Sequence, residues 1–109
     1  IYVMPSGYKL RLEKGTFLLD ERPETEIVNR AINYFFKSLA SETKANAFGI
    51  ILSGTGTDGV EGVKEIERLQ GTVIVQDPNT AQFDGMPENT IHKDHPDFVV
   101  APELMPALI

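Results

Sequence analysis

From Tyr8 to Glu13 the chain alternates apolar and polar residues, with Tyr8, Leu10 and Leu12 set against Lys9, Arg11 and Glu13. That period of two predicts a half-buried strand. Lys14-Gly15 reads as a turn and residues 16–19 as a second short strand, so the pair predicts a hairpin. Residues 1–4 form a short apolar run, read as a strand and ended by Pro5-Ser6-Gly7. Ile32, Phe35, Phe36 and Leu39 then recur at helical spacing, which predicts a helix over about 30–43 with Asn29 or Asn33 as its cap.

Residues 47–52, Ala-Phe-Gly-Ile-Ile-Leu, are apolar without alternation. This predicts a strand buried on both faces of a parallel sheet. A glycine-rich loop follows, and a helix is predicted over about 58–69, with Val60, Val63, Ile66 and Leu69 inward and Gln70-Gly71 as its stop. Thr72–Gln76 reads as a second buried strand, completing a β-loop-α-β unit with a right-handed crossover. Beyond it, the pattern predicts a helical turn at Asp77-Pro78-Asn79-Thr80, with Phe83 as apolar anchor, and a turn at Asp84-Gly85-Met86-Pro87. A short helix is expected over 87–92, a strand at Phe98–Val100 and a terminal helix over 102–109.

The 109 residues suffice for a single small domain. A 41% hydrophobic and 24% charged composition is that of a globular chain. No apolar run approaches the ~20 residues of a membrane span. The absence of cysteine excludes disulfides and thiolate chemistry and fits the cytoplasm. A net charge of −6 argues against nucleic acid as the main partner. The chain opens on Ile in an apolar run, which raises the expectation of a segment from a longer protein.

The loop Ser53-Gly54-Thr55-Gly56-Thr57-Asp58-Gly59 admits three readings. Its glycines can merely allow a tight turn, with Asp58 capping the next helix. Gly54, Gly56 and Gly59 also match G-x-G-x-x-G, with Asp77 near the position of a ribose-binding acid. Against that nucleotide-binding reading, Asp58 at the helix N-terminus would repel a pyrophosphate. In the third reading the carboxylate is functional. An oriented Asp suits the member of a Ser-His-Asp triad that holds the imidazole, and the glycines let amides approach an oxyanion.

Residues 50–59 of this strand and loop resemble the CheB-type chemotaxis methylesterase domain. So do Val75-Gln76-Asp77-Pro78 with Phe83-Asp84-Gly85-Met86-Pro87, the start Ile1-Tyr2-Val3-Met4-Pro5 with Tyr8-Lys9-Leu10, and residues 32–40. The Ser-Gly-Thr-Gly loop and the ending Pro102-Glu103-Leu104-Met105-Pro106 look most like members fused to a CheR-type methyltransferase. The resemblance implies an α/β fold, a Rossmann-like doubly wound, mostly parallel sheet with an antiparallel hairpin. Residues 1–109 would be its C-terminal part, truncated on the N-terminal side. It also implies hydrolysis of glutamate methyl esters, and deamidation of glutamines, on chemoreceptors in a bacterial chemotaxis phosphorelay.

Residue by residue, the family's catalytic aspartate matches Asp58. Its oxyanion-hole residue, usually Met, matches Thr55, flanked by Gly54 and Gly56. Asn33 stands where the family usually has Asp. The family's serine and histidine precede the segment matched here, so the segment alone is expected to be inactive. No cofactor and no metal are implied. The expected partners are a methylated chemoreceptor, the N-terminal half of the same domain and a fused methyltransferase, with self-dimerisation of the 109-residue chain. The alternatives are the nucleotide-binding module and a non-catalytic docking domain. Ser53 is read as a hydroxyl satisfying loop backbone, and His92 and His95 as solvent-exposed residues that form no metal site with Asp94 and Asp97. Asp84 and Met86 are read as support beneath the loop.

Overall fold

The computed structural model describes residues 1–109. Strands β1 (Tyr8–Glu13) and β2 (Thr16–Glu21) pair antiparallel, with Leu10 opposite Leu19 and Leu12 opposite Phe17. Lys14 and Gly15 both take positive φ, 50° and 76°. This is the mirror-image turn whose twist suits a two-residue hairpin.

Helix α1 (Ala31–Thr43) lies against that hairpin. Two polar anchors fix it there. Ser38 Oγ accepts the Leu12 N–H at 2.9 Å. The Tyr34 hydroxyl donates to Asp20 at 2.6 Å, and Arg11 Nε donates to the same carboxylate at 2.9 Å. These two donors hold the Asp20 carboxyl below the usual carboxylate range.

Strand β3 (Phe48–Ile51), helix α2 (Val60–Arg68) and strand β4 (Thr72–Gln76) form the expected unit, and β3 and β4 are parallel. Strand β5 (Phe98–Val100) joins β4 in parallel on its far side, giving the order β3-β4-β5. Val73, Ile74 and Val75 are fully buried, as a central strand without alternation requires. Ile51, Val63, Ile66, Val73 and Val75 meet Ala40 and Ala47 in a single core cluster.

Helices α1 and α2 approach closely because Gly62 lies between them. A Cβ at Gly62 would stand 2.6 Å from Phe36 Cβ and 3.2 Å from Asn33 Cα. No larger residue fits that crossing without displacing α1.

Five expectations are corrected. Residues 1–4 form no strand: they have no backbone partner, and Ile1, Tyr2 and Val3 are exposed. β3 is buried on one face only; Gly49 and Ile51 point inward, while Phe48 is exposed and Ile50 half-buried. As the end strand of the sheet it has a strand neighbour on one side only, and its residues Phe48 and Ile50 are left partly open. The Phe83 side chain is exposed and anchors nothing; its backbone makes the attachment instead. Helix α3 runs Gly85–Lys93, so the expected turn at 84–87 is already its first turn. Pro87, its third residue, is compatible with helix because the first N–H groups need no partner in the helix. Residues 102–109 form two 3-10 turns, Pro102–Leu104 and Pro106–Leu108, rather than a helix. Pro106 has no N–H to offer the Pro102 carbonyl, so an α-helical ladder cannot pass through it.

No helix is long and apolar enough to cross a membrane.

Candidate active site

The loop between β3 and α2 is pinned from below by the segment that leads into α3. Gly54 N–H donates to the Phe83 carbonyl at 2.9 Å, and Met86 N–H donates to the Gly54 carbonyl at 2.9 Å. Asn89 Nδ2 donates to the Gly56 carbonyl at 3.1 Å. The Met86 side chain packs under Gly54, where a Cβ would meet its sulfur at 3.4 Å. Met86 therefore supports the loop as read from the sequence.

Ser53 also behaves as read. Its Oγ donates to the Phe83 carbonyl at 3.2 Å and accepts the Phe83 N–H at 2.9 Å. A hydroxyl committed in both directions to backbone is not poised as a nucleophile. His92 is exposed and lies 3.3 Å from Glu88, one turn away on α3. His95 is exposed as well, and no three acidic or imidazole side chains group as a metal site.

Asp58 is oriented in a way that its place in the sequence does not show. By position it is a cap for α2, the helix it precedes. Its carboxylate turns instead to the N-terminus of α1, where Oδ2 accepts the Ile32 N–H at 2.9 Å and Oδ1 accepts the Asn33 N–H at 3.0 Å. Asn29 Oδ1 accepts the remaining early amide, that of Ala31, at 3.0 Å. The otherwise orphaned first-turn donors of α1 are thus satisfied, two of them by a residue 25 or more positions away. The partial positive charge at a helix start favours a carboxylate in that place.

The α2 N-terminus is capped in return from α1. Asn33 Oδ1 accepts the Gly59 N–H at 2.9 Å and the Gly62 N–H at 2.8 Å. Asn33 therefore caps the neighbouring helix rather than its own. Sequence reasoning misses this pairing because capping rules act along the chain, whereas these contacts cross between helices. The pairing also bears on the dinucleotide reading. Two of the amides that a pyrophosphate would approach at this helix start are already occupied by Asn33.

Asp58 borders a polar cleft of about 270 Å³ lined by Asn29, Arg30, Asn33, Thr57, Glu61 and Lys93, among others. Each of its oxygens receives a single protein N–H, and a carboxylate oxygen has two lone pairs, so capacity remains for a further donor. Thr55 and Gly56 lie on the outer turn of the loop, and their N–H groups donate to no other group of the chain. Gly56 holds φ +87°, which shapes this turn.

The sequence model of the family described as "CheB methylesterase" matches residues 1–109. The chain belongs to the CheB methylesterase family. Its fold agrees with a solved CheB methylesterase catalytic domain from Thermotoga maritima at a TM-score of 0.85 and 28% identity, covering 98% of this chain and 59% of that one. Among curated relatives, a putative protein-glutamate methylesterase/protein-glutamine glutaminase of Leptospira interrogans is 32% identical over 104 residues, 94% of this chain and 54% of that protein. An uncharacterized 104.1 kDa protein of Rhodobacter capsulatus is 35% identical over 91 residues, 84% of this chain and 10% of that protein. The chain thus spans about half of the Leptospira relative and a tenth of the Rhodobacter one.

Proposed function

We propose that this CheB-family segment supplies the acid and an oxyanion donor of a protein-glutamate methylesterase whose serine and histidine lie in the other part of the same domain. The observation that carries the proposal is the Asp58 carboxylate. It is fixed by two α1 amides and has lone pairs left beside a polar cleft. A third triad member needs that combination, because it must hold one imidazole tautomer and stabilise the imidazolium.

In the reaction, the histidine Nδ1–H donates to Asp58. Its Nε2 takes the proton of the serine hydroxyl as that oxygen attacks the ester carbonyl. The carbonyl oxygen becomes an oxyanion, and the unpaired N–H of Thr55 is the donor this segment offers to it. The imidazolium returns its proton to the leaving methoxide, methanol departs, and water hydrolyses the acyl-enzyme by the same route in reverse. The donor is backbone, so Thr in place of the family's usual Met leaves it intact. With a glutamine substrate the leaving group is ammonia and the product the same glutamate.

The substrate is a methylated chemoreceptor or a related signalling protein, consistent with the activity for which the Leptospira relative is named. The 109 residues by themselves are inactive in this reading. The protein's setting is cytoplasmic, within bacterial chemotaxis signalling. A large parent protein with a fused methyltransferase domain is supported by the Ser53-Gly54-Thr55-Gly56 loop and by the size of the Rhodobacter relative.

The deciding experiment measures methyl-ester hydrolysis by the intact protein and by its Asp58→Asn variant. The substitution is expected to lower kcat by about 10⁴-fold with little change in KM. A wild-type kcat in Asp58→Asn refutes the assignment. Micromolar binding of NAD or ATP to wild-type protein would favour the nucleotide-binding alternative instead.

A further inference from the structure

We propose that Asn33 is a positioning residue for Asp58, locking the two helix N-termini together so that the carboxylate presents a fixed edge to its imidazole partner. This rests on the role of Asp58 given above. Asn33 meets Asp58 and its successor through both its backbone and its side chain. Its own N–H donates to Asp58 Oδ1 at 3.0 Å, and its Oδ1 accepts the N–H of Gly59, the next residue, at 2.9 Å. A further bond from Gly62 N–H to the same oxygen, at 2.8 Å, ties in the first turn of α2.

The result is a closed ring. The Asp58 side chain is held by α1, and the backbone that carries Asp58 is held by a side chain of α1. A carboxylate restrained at one end alone could swing about its own backbone; restrained at both, it has one orientation. The packing enforces the same register. Gly62 admits Asn33 Cα to 3.2 Å of its missing Cβ, and Gly59 places its missing Cβ 3.0 Å from Ile32 Cγ2.

The residue type sets the charge of this junction rather than its hydrogen bonds. An amide oxygen accepts two N–H groups without bringing a second negative charge to the junction. The charged groups lining the cleft from the other elements are Arg30 ahead of α1, Glu61 on α2, which lies 3.6 Å from Lys64, and Lys93 on α3. Asp58 is thus the acid held between the two helix starts, and Asn33 shapes its position without competing for its partner.

The test compares Asn33→Ala and Asn33→Asp with wild type in the intact protein. It reads kcat and KM for methyl-ester hydrolysis over a range of pH, together with amide hydrogen exchange at Ile32, Gly59 and Gly62. Asn33→Ala is expected to lower kcat by about 10²-fold, the scale of a displaced catalytic group, with KM little changed. Exchange should quicken at all three amides. Asn33→Asp restores the two acceptor bonds, so kcat and slow exchange should return. Its added charge favours the imidazolium and should move the acid limb of the pH profile upward, an effect that mere structural repair would not produce. Wild-type kcat in Asn33→Ala, or faster exchange at Gly59 and Gly62 with Ile32 unchanged, would overturn the proposal. An inactive wild-type protein would refute the esterase reading, while exchange at Ile32 would still test the lock.

Discussion

Gln76 accepts the Ser53 N–H through its side-chain Oε1 at 2.8 Å, joining the last residue of β4 to the first residue of the glycine loop. Its amide nitrogen donates to both the carbonyl and the hydroxyl of Thr80, at 3.2 Å each. Gln76 is 6% exposed. One buried amide therefore fixes the spacing between the loops at the ends of β3 and β4, the first of which carries the candidate acid Asp58. Replacing Gln76 with Leu removes all of these hydrogen bonds. The expected cost is about 1–3 kcal/mol, read from the midpoint of chemical denaturation. Replacement with Glu keeps an acceptor for Ser53, loses both bonds to Thr80 and buries a charge, so it should be no milder. An unchanged midpoint in the Leu variant would contradict this account.

Gly59 and Gly56 both hold positive φ, +102° and +87°, but for different structural reasons. Nothing lies within 4 Å of a Cβ placed at Gly56. At Gly59 the Cβ would meet Ile32 Cγ2 at 3.0 Å and Ile51 Cδ1 at 3.1 Å. Gly56→Ala should therefore cost the backbone term alone, about 1 kcal/mol. Gly59→Ala should cost about 1–3 kcal/mol more, because it also overpacks the junction of α1 with β3. Thermal unfolding of the two variants side by side checks the ranking. Equal midpoints would show that the isoleucines yield freely.

Much of this fold is written in local pattern. The 3.6-residue stripe of Ile32, Phe35, Phe36 and Leu39 marks α1, the alternation of Tyr8, Leu10 and Leu12 marks β1, and the unbroken Val-Ile-Val of 73–75 marks the buried central strand. Asp58 is legible as the candidate acid because motif and loop position both single it out. Its direction is not. Whether a carboxylate turns to the helix it precedes or to one 25 residues upstream depends on how closely two helices cross, and the missing Cβ atoms of Gly62 and Gly59 permit the close approach seen here. The reciprocal role of Asn33 is hidden for the same reason. At the end of the chain, helix-compatible residues after Pro102 suggest a helix, but the second proline, Pro106, breaks the ladder.

An acidic pair between α2 and α3 makes stability depend on pH. Burial pushes the Glu67 carboxyl up to about 7, aided by the charge of Asp94, by a hydrogen bond shared with Asp94 and by the charge of Asp97. Asp94 is 8% exposed, and its Oδ2 has no hydrogen-bond partner in the chain, so a proton shared with Glu67 relieves a buried pair of negative charges. An unfolded chain loses that proton near pH ~4.3. Between there and about 7 the native state binds a proton that the unfolded state has released. Stability from this group is therefore full below the unfolded pKa and declines as pH rises through the window. Glu67→Gln should match wild type near the lower end and exceed it above the upper end. Denaturation midpoints of both proteins at acidic and mildly alkaline pH provide the check. A difference that stays constant with pH would remove the assignment.

One side of the sheet is left free. β3 pairs only with β4, so its other edge presents unpaired backbone groups. Beside that edge lies an apolar cleft of about 480 Å³, lined by Tyr2, Met4, Phe35, Ile50, Leu52 and Met86, among others. Leu52 is 50% exposed, and Ile1 and Val3, which flank Tyr2 in the chain, stand open to solvent. An open edge joined to an apolar face favours association with whatever strand is at hand. Under the proposed function the expected cover is the other part of the same domain, since this chain covers 59% of the solved Thermotoga domain. Residues 1–109 alone should instead associate with a second copy. Light scattering across a concentration series should then show mass rising above that of one chain. Leu52→Lys should reverse this by placing a charge on the face, at a position too exposed to disturb the core. A monomer at every concentration would show that the open edge of β3 is protected by its own residues.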